Sequence, residues 1–439
     1  MKKVVKFGGS SLASAEQFKK VGNIIKSDPS RRYVIPSAPG KRSPKDVKVT
    51  DMLYKCYEEA VSGRDFKELL EQIKERYNEI IRGLALDLSL DEEFKEIELA
   101  FKNKEGSDYA ASRGEYLNGV IMARYLGSEF VDPAKYIFFG KDGQLDQNKT
   151  YSALGKKLAK TDTAVIPGFY GCGADGHVKT FSRGGSDITG SIVAKAVIAD
   201  VYENWTDVSG VLVADPRIIE NPKPIDTITY KELRELSYMG ATVLHEDAIF
   251  PVRTEGIPIN IRNTNAPEDK GTFIVESTCV KPEYTITGIA GKKGFVSITV
   301  EKDMMNSQVG FGRKVLEAFE EEGVSFEHMP SGIDTLTVFV HQDEFEAKEQ
   351  SVLANLHRTA KPDAIEMESD LALVAVVGRG MKATRGTAGR IFSALAHANV
   401  NVKMIDQGSS ELNIIIGLQN KDFETAIKAI YDIFVTIRL

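Results

Sequence analysis

Over roughly the first 275 residues, short apolar runs alternate with longer stretches of helical spacing, which restricts the chain to few architectures. The runs KVVKF, RYVIP, AVIPGFY, VYENW, GVLVA and PINIR have the length and composition of strands. TDMLYKCYEEAVSG, EYLNGVIMARYLG and SDITGSIVAKAVIA lie between them and have helical length. This order predicts an α/β domain with a mainly parallel sheet and helices on both faces. Residues 60–105, rich in Glu, Lys, Leu and Ile at helical spacing, are expected to form a solvated helical subdomain. A chain of 439 residues exceeds one core. The composition shift across NAPEDKGT (265–272) and STCVKPEYT (277–285) marks a boundary and linker.

Beyond the linker the chain repeats itself. VSITV (296–300), GFGRKVLEAFEEEGVSF and DTLTVFV are matched by ALVAVV (372–377), GTAGRIFSALAHANVNV and SELNIII. Val338 falls opposite Ile414, an offset of 76 residues (414 − 338). Each copy reads strand, loop, helix, strand, strand, then a helix and a further strand, so two small α/β modules of one design are expected.

Composition narrows the partners. A net charge of −7 argues against broad surfaces for nucleic acid or anionic membranes. Cys56, Cys172 and Cys279 are widely spaced with no CxxC pair, which favours reduced thiols over a disulfide framework or zinc cage. The six histidines form no HxH or HExxH, so no protein metal site is expected. MKKVVKFGGSSLASA starts basic, but Lys6 interrupts the apolar run too early for a secretion signal. No stretch approaches the roughly 18 apolar residues of a membrane span, so a cytoplasmic protein is expected.

Two glycine loops carry the chemistry. KFGGSS (6–11) follows the first strand but lacks the Gly-Lys-Ser/Thr of a P-loop; its lysine precedes the glycines. Gly8 and Gly9 let backbone N–H groups approach a phosphate, with Ser10 beside them. A helix over 13–27 would add its positive end, and Lys6 a full charge. SRGGSD (182–187) repeats the design with Arg183 before the glycines and Asp187 after them. Arginine suits a two-pronged grip on a carboxylate, while an aspartate there could also simply cap the helix.

NWTDVSGVLVADPR places Thr206 and Asp207 after a strand, with Leu212, Asp215 and Arg217 further on, where open sheets line a ligand crevice. GCGADG (171–176) reads as a hairpin turn, and GRGMKA (378–383) lies inside the second repeat, so neither is taken as a dinucleotide site. PGKRSPK (39–45) is a solvated loop or a mobile cover over an anion, with Thr50 and Asp51 capping the next helix. His245 reads as structural.

KFGGSS, RGE (113–115), SRGGSD, TDVSGV, ADPR and GATVLH, followed by two ACT-like modules, together resemble the monofunctional aspartokinases over the whole chain. The resemblance implies an amino-acid-kinase fold, a three-layer αβα sandwich, over residues 1–280. Two ferredoxin-like ACT modules would follow at 281–365 and 366–439, with strand exchange between them possible. It implies transfer of the ATP γ-phosphoryl group, with Mg2+, to the side-chain carboxylate of L-aspartate, giving 4-phospho-L-aspartate. That reaction opens lysine, threonine, methionine and isoleucine synthesis. It also implies a homodimer or dimer of dimers, inhibited by an end-product amino acid, most similar to lysine-sensitive members, with threonine the other candidate.

The site residues follow from the same resemblance. Lys6, Gly8, Gly9, Ser10, Thr206, Asp207, Leu212, Asp215, Arg217 and Thr242 would hold ATP, and Asp187 would orient Lys6. Ser37, Thr50, Glu115, Arg183, Gly184, Gly185 and Ser186 would hold aspartate, with Arg183 on the α-carboxylate and Glu115 on the ammonium. Met304, Ser307, Gly310, Phe311, Gly312, Phe326, Glu327 and Ser331 would hold the effector. Thr242 stands where the family often has a nucleotide-contacting lysine, and Leu212 where an aromatic is common. Three other readings stay open: another enzyme of this fold, such as a glutamate 5-kinase or an acetylglutamate kinase, a non-catalytic amino-acid sensor, and a dinucleotide-dependent dehydrogenase.

Overall fold

The computed structural model describes residues 1–182, 184–241, 244, 246–278 and 282–436. The chain divides into two compact units. The first comprises Met1–Val211, Pro224–Tyr230 and Val243–Thr278; the second comprises Leu212–Lys223, Lys231–Thr242 and Cys279–Leu439.

The first unit is built on strands β1 (Lys3–Phe7), β2 (Arg31–Pro36), β3 (Glu129–Phe130) and β4 (Ala164–Val165). A separate hairpin of β5 (Tyr170–Cys172) and β6 (Val178–Thr180) follows, then β7 (Val201–Thr206), β8 (Thr227–Thr229), β9 (Ile259–Asn263) and β10 (Thr272–Val275). The main sheet runs β3-β4-β2-β1-β7-β9-β10-β8, and all its pairs are parallel except β9 with β10. The β5–β6 hairpin closes through the Gly173 N–H to the His177 carbonyl at 2.7 Å, so GCGADG is a turn.

Three expectations change. AVIPGFY is not one strand: only Ala164–Val165 joins the sheet, because Pro167 has no N–H to donate and Phe169 sits at φ +83°. GVLVA is not a strand either, since the chain leaves the first unit after Val211. In the second unit Val213 instead hydrogen-bonds irregularly to Lys223 and Ile289. The helical region 60–105 is more than a solvated appendage. One face of its helices Lys67–Gly83 and Asp91–Lys102 buries Ile73, Tyr77, Ile80, Phe94, Ile97 and Phe101 in one core with Val5, Phe7 and Trp205. Each such side chain contributes about 1.5–3 kcal/mol by leaving water.

The second unit carries β11 (Gly288–Glu301), β12 (Phe326–His328), β13 (Thr335–His341), β14 (Ala364–Val377), β15 (Met404–Asp406) and β16 (Asn413–Gln419), ordered β12-β13-β11-β14-β16-β15. The repeat is visible in the elements. β11 and β14 start 76 residues apart (364 − 288), as do helices Phe311–Glu320 and Thr387–His397 (387 − 311). β11 pairs through its second half with β13, while its first half pairs only with β14. β14 in turn pairs through its second half with β16. Each module therefore takes one strand from the long strand of the other copy, and the 365/366 boundary falls inside β14.

Candidate active site

Because β1, β2, β4 and β7 are parallel neighbours, the loops leaving their C-terminal ends gather at one edge of the sheet. Lys6 of β1 is in register with Asn204 of β7, so both side chains emerge on one face. There the Lys6 Nζ lies 2.6 Å from Asp187 Oδ1 and 3.4 Å from Asn204 Oδ1. Asn204 Nδ2 also donates to Asp187 Oδ1 at 2.8 Å. Asp187 reaches this point from the first turn of helix Gly185–Val197. A buried ammonium is thereby held by an anion and an amide at the mouth of the glycine loop. Sequence reasoning missed Asn204, since only the register of β1 with β7 reveals it.

The glycine loop differs from expectation in detail. The Gly8 N–H is spent on the Trp205 carbonyl at 3.0 Å. Gly9 and Ser10 instead open a 3-10 turn, Gly9–Leu12, whose first N–H groups lack partners within the turn. The following helix starts only at Ala15, capped by Ser14. Gly8 lies beside the lysine: a Cβ there would stand in ordinary contact with Lys6 Nζ, at 3.6 Å. Gly9 meets a residue that the sequence reading passed over, Gly40, whose N–H donates to the Gly9 carbonyl at 2.8 Å. A Cβ on Gly40 would lie 2.5 Å from the Gly9 carbonyl carbon.

At the second loop Gly184 takes φ +57°, and Gly185 and Ser186 start the helix behind it. A Cβ on Gly185 would lie 2.4 Å from the Phe169 ring, and one on Gly168 would lie 2.5 Å from Ser186 Oγ. The 168–169 segment thus lies directly across the helix start. Phe169 is anchored by its N–H to Thr189 Oγ1 at 3.0 Å. Arg183 and Thr242 lie outside the described residues, as do His245 and Cys279.

Glu115 sits on helix Ser107–Leu126 beneath the loop that carries Ser37. Its side chain is buried, its Oε2 has no hydrogen-bond partner among the described residues, and burial pushes its carboxyl up to about 8 despite a hydrogen bond from the Ala38 backbone. Three residues on, buried Asn118 donates to the Ser37 carbonyl at 2.6 Å. A Cβ on Gly114 would touch Ala38 Cβ at 2.9 Å and approach Thr50 Oγ1 at 3.7 Å. Glu115, the Ser37 loop and Thr50 therefore converge. Thr50 and Asp51 lie inside helix Val49–Val61 rather than capping it, because Lys48 holds the cap position.

Other candidates are dispersed. Thr206 ends β7 and donates to Asp207, the next residue, at 3.2 Å. Leu212, Asp215 and Arg217 belong to the second unit, where Asp215 and Arg217 pair with each other. In the first repeat, Met304, Ser307 and Gly310 form an exposed loop before helix Phe311–Glu320, and Phe311 is buried while Gly312 lies in its first turn. Ser331 bridges to Leu336 near that loop. Phe326 instead pairs with Val340 at the far end of β13. Glu327 is not free there: it meets His341 Nε2 at 3.2 Å and takes a hydrogen bond from Tyr238.

A fold of this kind, with paired glycine loops at the sheet edge, defines an amino acid kinase. The model of the amino acid kinase family matches residues 1–263, and that of the ACT domain matches residues 374–434. Aspartokinase 3 of Bacillus subtilis is 40% identical over 98% of this chain and 98% of its own length. The chloroplastic aspartokinase 1 of Arabidopsis thaliana is 30% identical over 98% of this chain and 80% of its own. The crystal structure of Clostridium acetobutylicum aspartate kinase superposes with a TM-score of 0.91 at 53% identity, covering 99% of this chain and all of that one. The chain belongs to the aspartokinase family. Among the described residues no helix is long and apolar enough to cross a membrane, and no cluster of three metal-binding side chains occurs.

Proposed function

We propose that this aspartokinase transfers the γ-phosphoryl group of ATP to the side-chain carboxylate of L-aspartate, under feedback control through its ACT modules. The observation that carries the reading is the Lys6 ammonium, fixed by Asp187 and Asn204 beside a glycine loop. A carboxylate acceptor is already ionised at pH 7, so no general base is needed. Catalysis then consists of aligning two anions and neutralising the charge that develops on the transferring group. Lys6 supplies that charge, Asp187 and Asn204 hold its direction, and the Gly9 and Ser10 N–H groups face the phosphates. Mg2+ would ride on the ATP phosphates and neutralise part of their charge. Glu115 takes the aspartate ammonium, with Ser37, Thr50 and the Gly184–Ser186 turn around the substrate. Aspartate-dependent ADP release, with glutamate and acetylglutamate as controls, tests the reading; release driven by either control would replace aspartate as the substrate.

Lysine is the proposed effector. Leu336, beside Ser331, and Val340, beside Phe326, stand four residue steps apart on β13. At ~3.3 Å per residue that is about 13 Å. One small amino acid spans the 304–312 loop and Glu327 only if a second copy contributes one of them, which favours a homodimer. Glu327→Ala is expected to relieve lysine inhibition while leaving uninhibited kcat nearly intact. Equal lysine sensitivity in variant and parent would place the effector elsewhere. A cytoplasmic location fits the reduced thiols of Cys56 and Cys172.

A further inference from the structure

The basic segment PGKRSPK, read from sequence as a solvated loop or a mobile cover, is tied at its neck to one buried side chain. Arg76 of helix Lys67–Gly83 donates through Nη2 to the Gly40 carbonyl at 2.9 Å and through Nη1 to the Val47 carbonyl at 3.0 Å. The same Nη1 stands 3.2 Å from Asp46 Oδ2. The fork of a guanidinium suits this task, since its fixed donors reach both ends of the 40–47 segment at once. Only 6% of Arg76 is exposed. A buried cation in a charged, outwardly solvated helix has no local reason to be there unless its partners require it.

Its partners lead to the glycine loop. Gly40, held by Arg76 through its carbonyl, presses its own N–H onto the Gly9 carbonyl at 2.8 Å, with no room for a Cβ on either glycine. The other end of the same connection is held differently. The Ser37 N–H donates to the Phe7 carbonyl at 3.1 Å, and its carbonyl accepts from Asn118. One loop therefore has two independent anchors: Asn118 at its Ser37 end and Arg76 at its Gly40 end.

We propose that Arg76 is a positioning residue for the nucleotide phosphates, acting through Gly40 to fix the Gly9–Ser10 turn. This rests on the reading of that turn as the phosphate contact. Without the guanidinium, the Gly40 and Val47 carbonyls lose their donor and Gly40 no longer bears on Gly9 from a fixed point. Aspartate binding, held from the Ser37 end, is left in place.

The test uses the full chain with Arg76→Ala and Arg76→Lys, measuring KM for MgATP, KM for aspartate and melting temperature. Arg76→Ala is expected to raise the MgATP KM about tenfold while the aspartate KM moves less than about twofold. Arg76→Lys keeps a charge near Asp46 but cannot bridge both carbonyls, so its MgATP KM should fall between parent and alanine variant. If Arg76→Ala does not fold, a rise of about threefold in MgATP KM alone for Arg76→Lys carries the same conclusion. An unchanged MgATP KM, or equal rises in both KM values, overturns the proposal. A parent enzyme without aspartate-dependent ADP release would instead fail the proposed function.

Discussion

Two buried glutamates of the first unit have opposite surroundings. Glu203 on β7 is 1% exposed and saturated: Arg31 Nε donates to it at 2.8 Å, Trp205 Nε1 at 2.9 Å, and Lys3 Nζ lies at 3.0 Å. Burial alone would raise its pKa, but Arg31 and Lys3 outweigh that and hold the carboxyl below its ordinary range. Glu115, 6% exposed, has neither cation nor side-chain donor among the described residues, and burial wins. The pairing of Glu203 by Arg31, Lys3 and Trp205 makes it a structural carboxylate. Glu115, buried with one oxygen unpartnered among the described residues, is left open to a cation or hydrogen-bond donor of a ligand.

That contrast breaks first at Glu203. Glu203→Ala strands the buried Arg31 and is expected to cost about 3–5 kcal/mol of stability, seen in denaturant melts, with both KM values unchanged. A change in KM without loss of stability would make Glu203 functional after all. Next is the charge on the other face of β1. Lys6→Met is expected to lower kcat roughly 10²–10³-fold with the fold intact, because it removes a preorganised donor to developing charge. A near-normal kcat would remove Lys6 from the chemistry.

Glu115 gives the smaller, oppositely signed effect on stability. Its folded pKa lies above its unfolded value, so the unfolded chain holds fewer protons between about pH 4.5 and 8, and stability falls as pH rises through that window. Glu203 runs the other way: its contribution is present above its unfolded pKa and is lost as pH falls below it. Glu115→Gln is therefore expected to stabilise the ligand-free protein by roughly 2–4 kcal/mol at pH 8 and hardly at all at pH 5, while impairing aspartate use. Equal effects at both pH values would show that Glu115 carries no trapped proton.

Much of this was legible in sequence. The two glycine loops, the strand–helix alternation and the 76-residue repeat are patterns of the sequence itself, and most elements formed where they stand, with AVIPGFY and GVLVA the exceptions. What sequence hid depends on which distant strands are neighbours. Asn204 joins Lys6 only because β1 lies beside β7 in register, 198 residues away along the chain. Gly40 looks like any loop glycine until the Gly9 backbone is seen against it. Arg76 sits among charges on an amphipathic helix and differs from them only in facing inward. Phe169, at a positive φ that its side chain disfavours, carries no sequence mark at all.

The most direct test of an unfinished Glu115 is the proton it gives up. With burial pushing its carboxyl up to about 8, the protonated form predominates at pH 7 in the free protein. Pairing with the aspartate ammonium requires the ionised form, so binding should expel that proton. Titration calorimetry of aspartate binding at pH 7, in two buffers of different ionisation enthalpy, reads the release directly. Net proton release by the parent, and none by any Glu115→Gln protein that still binds, is the expected result. Binding by the parent with no proton released would contradict the account.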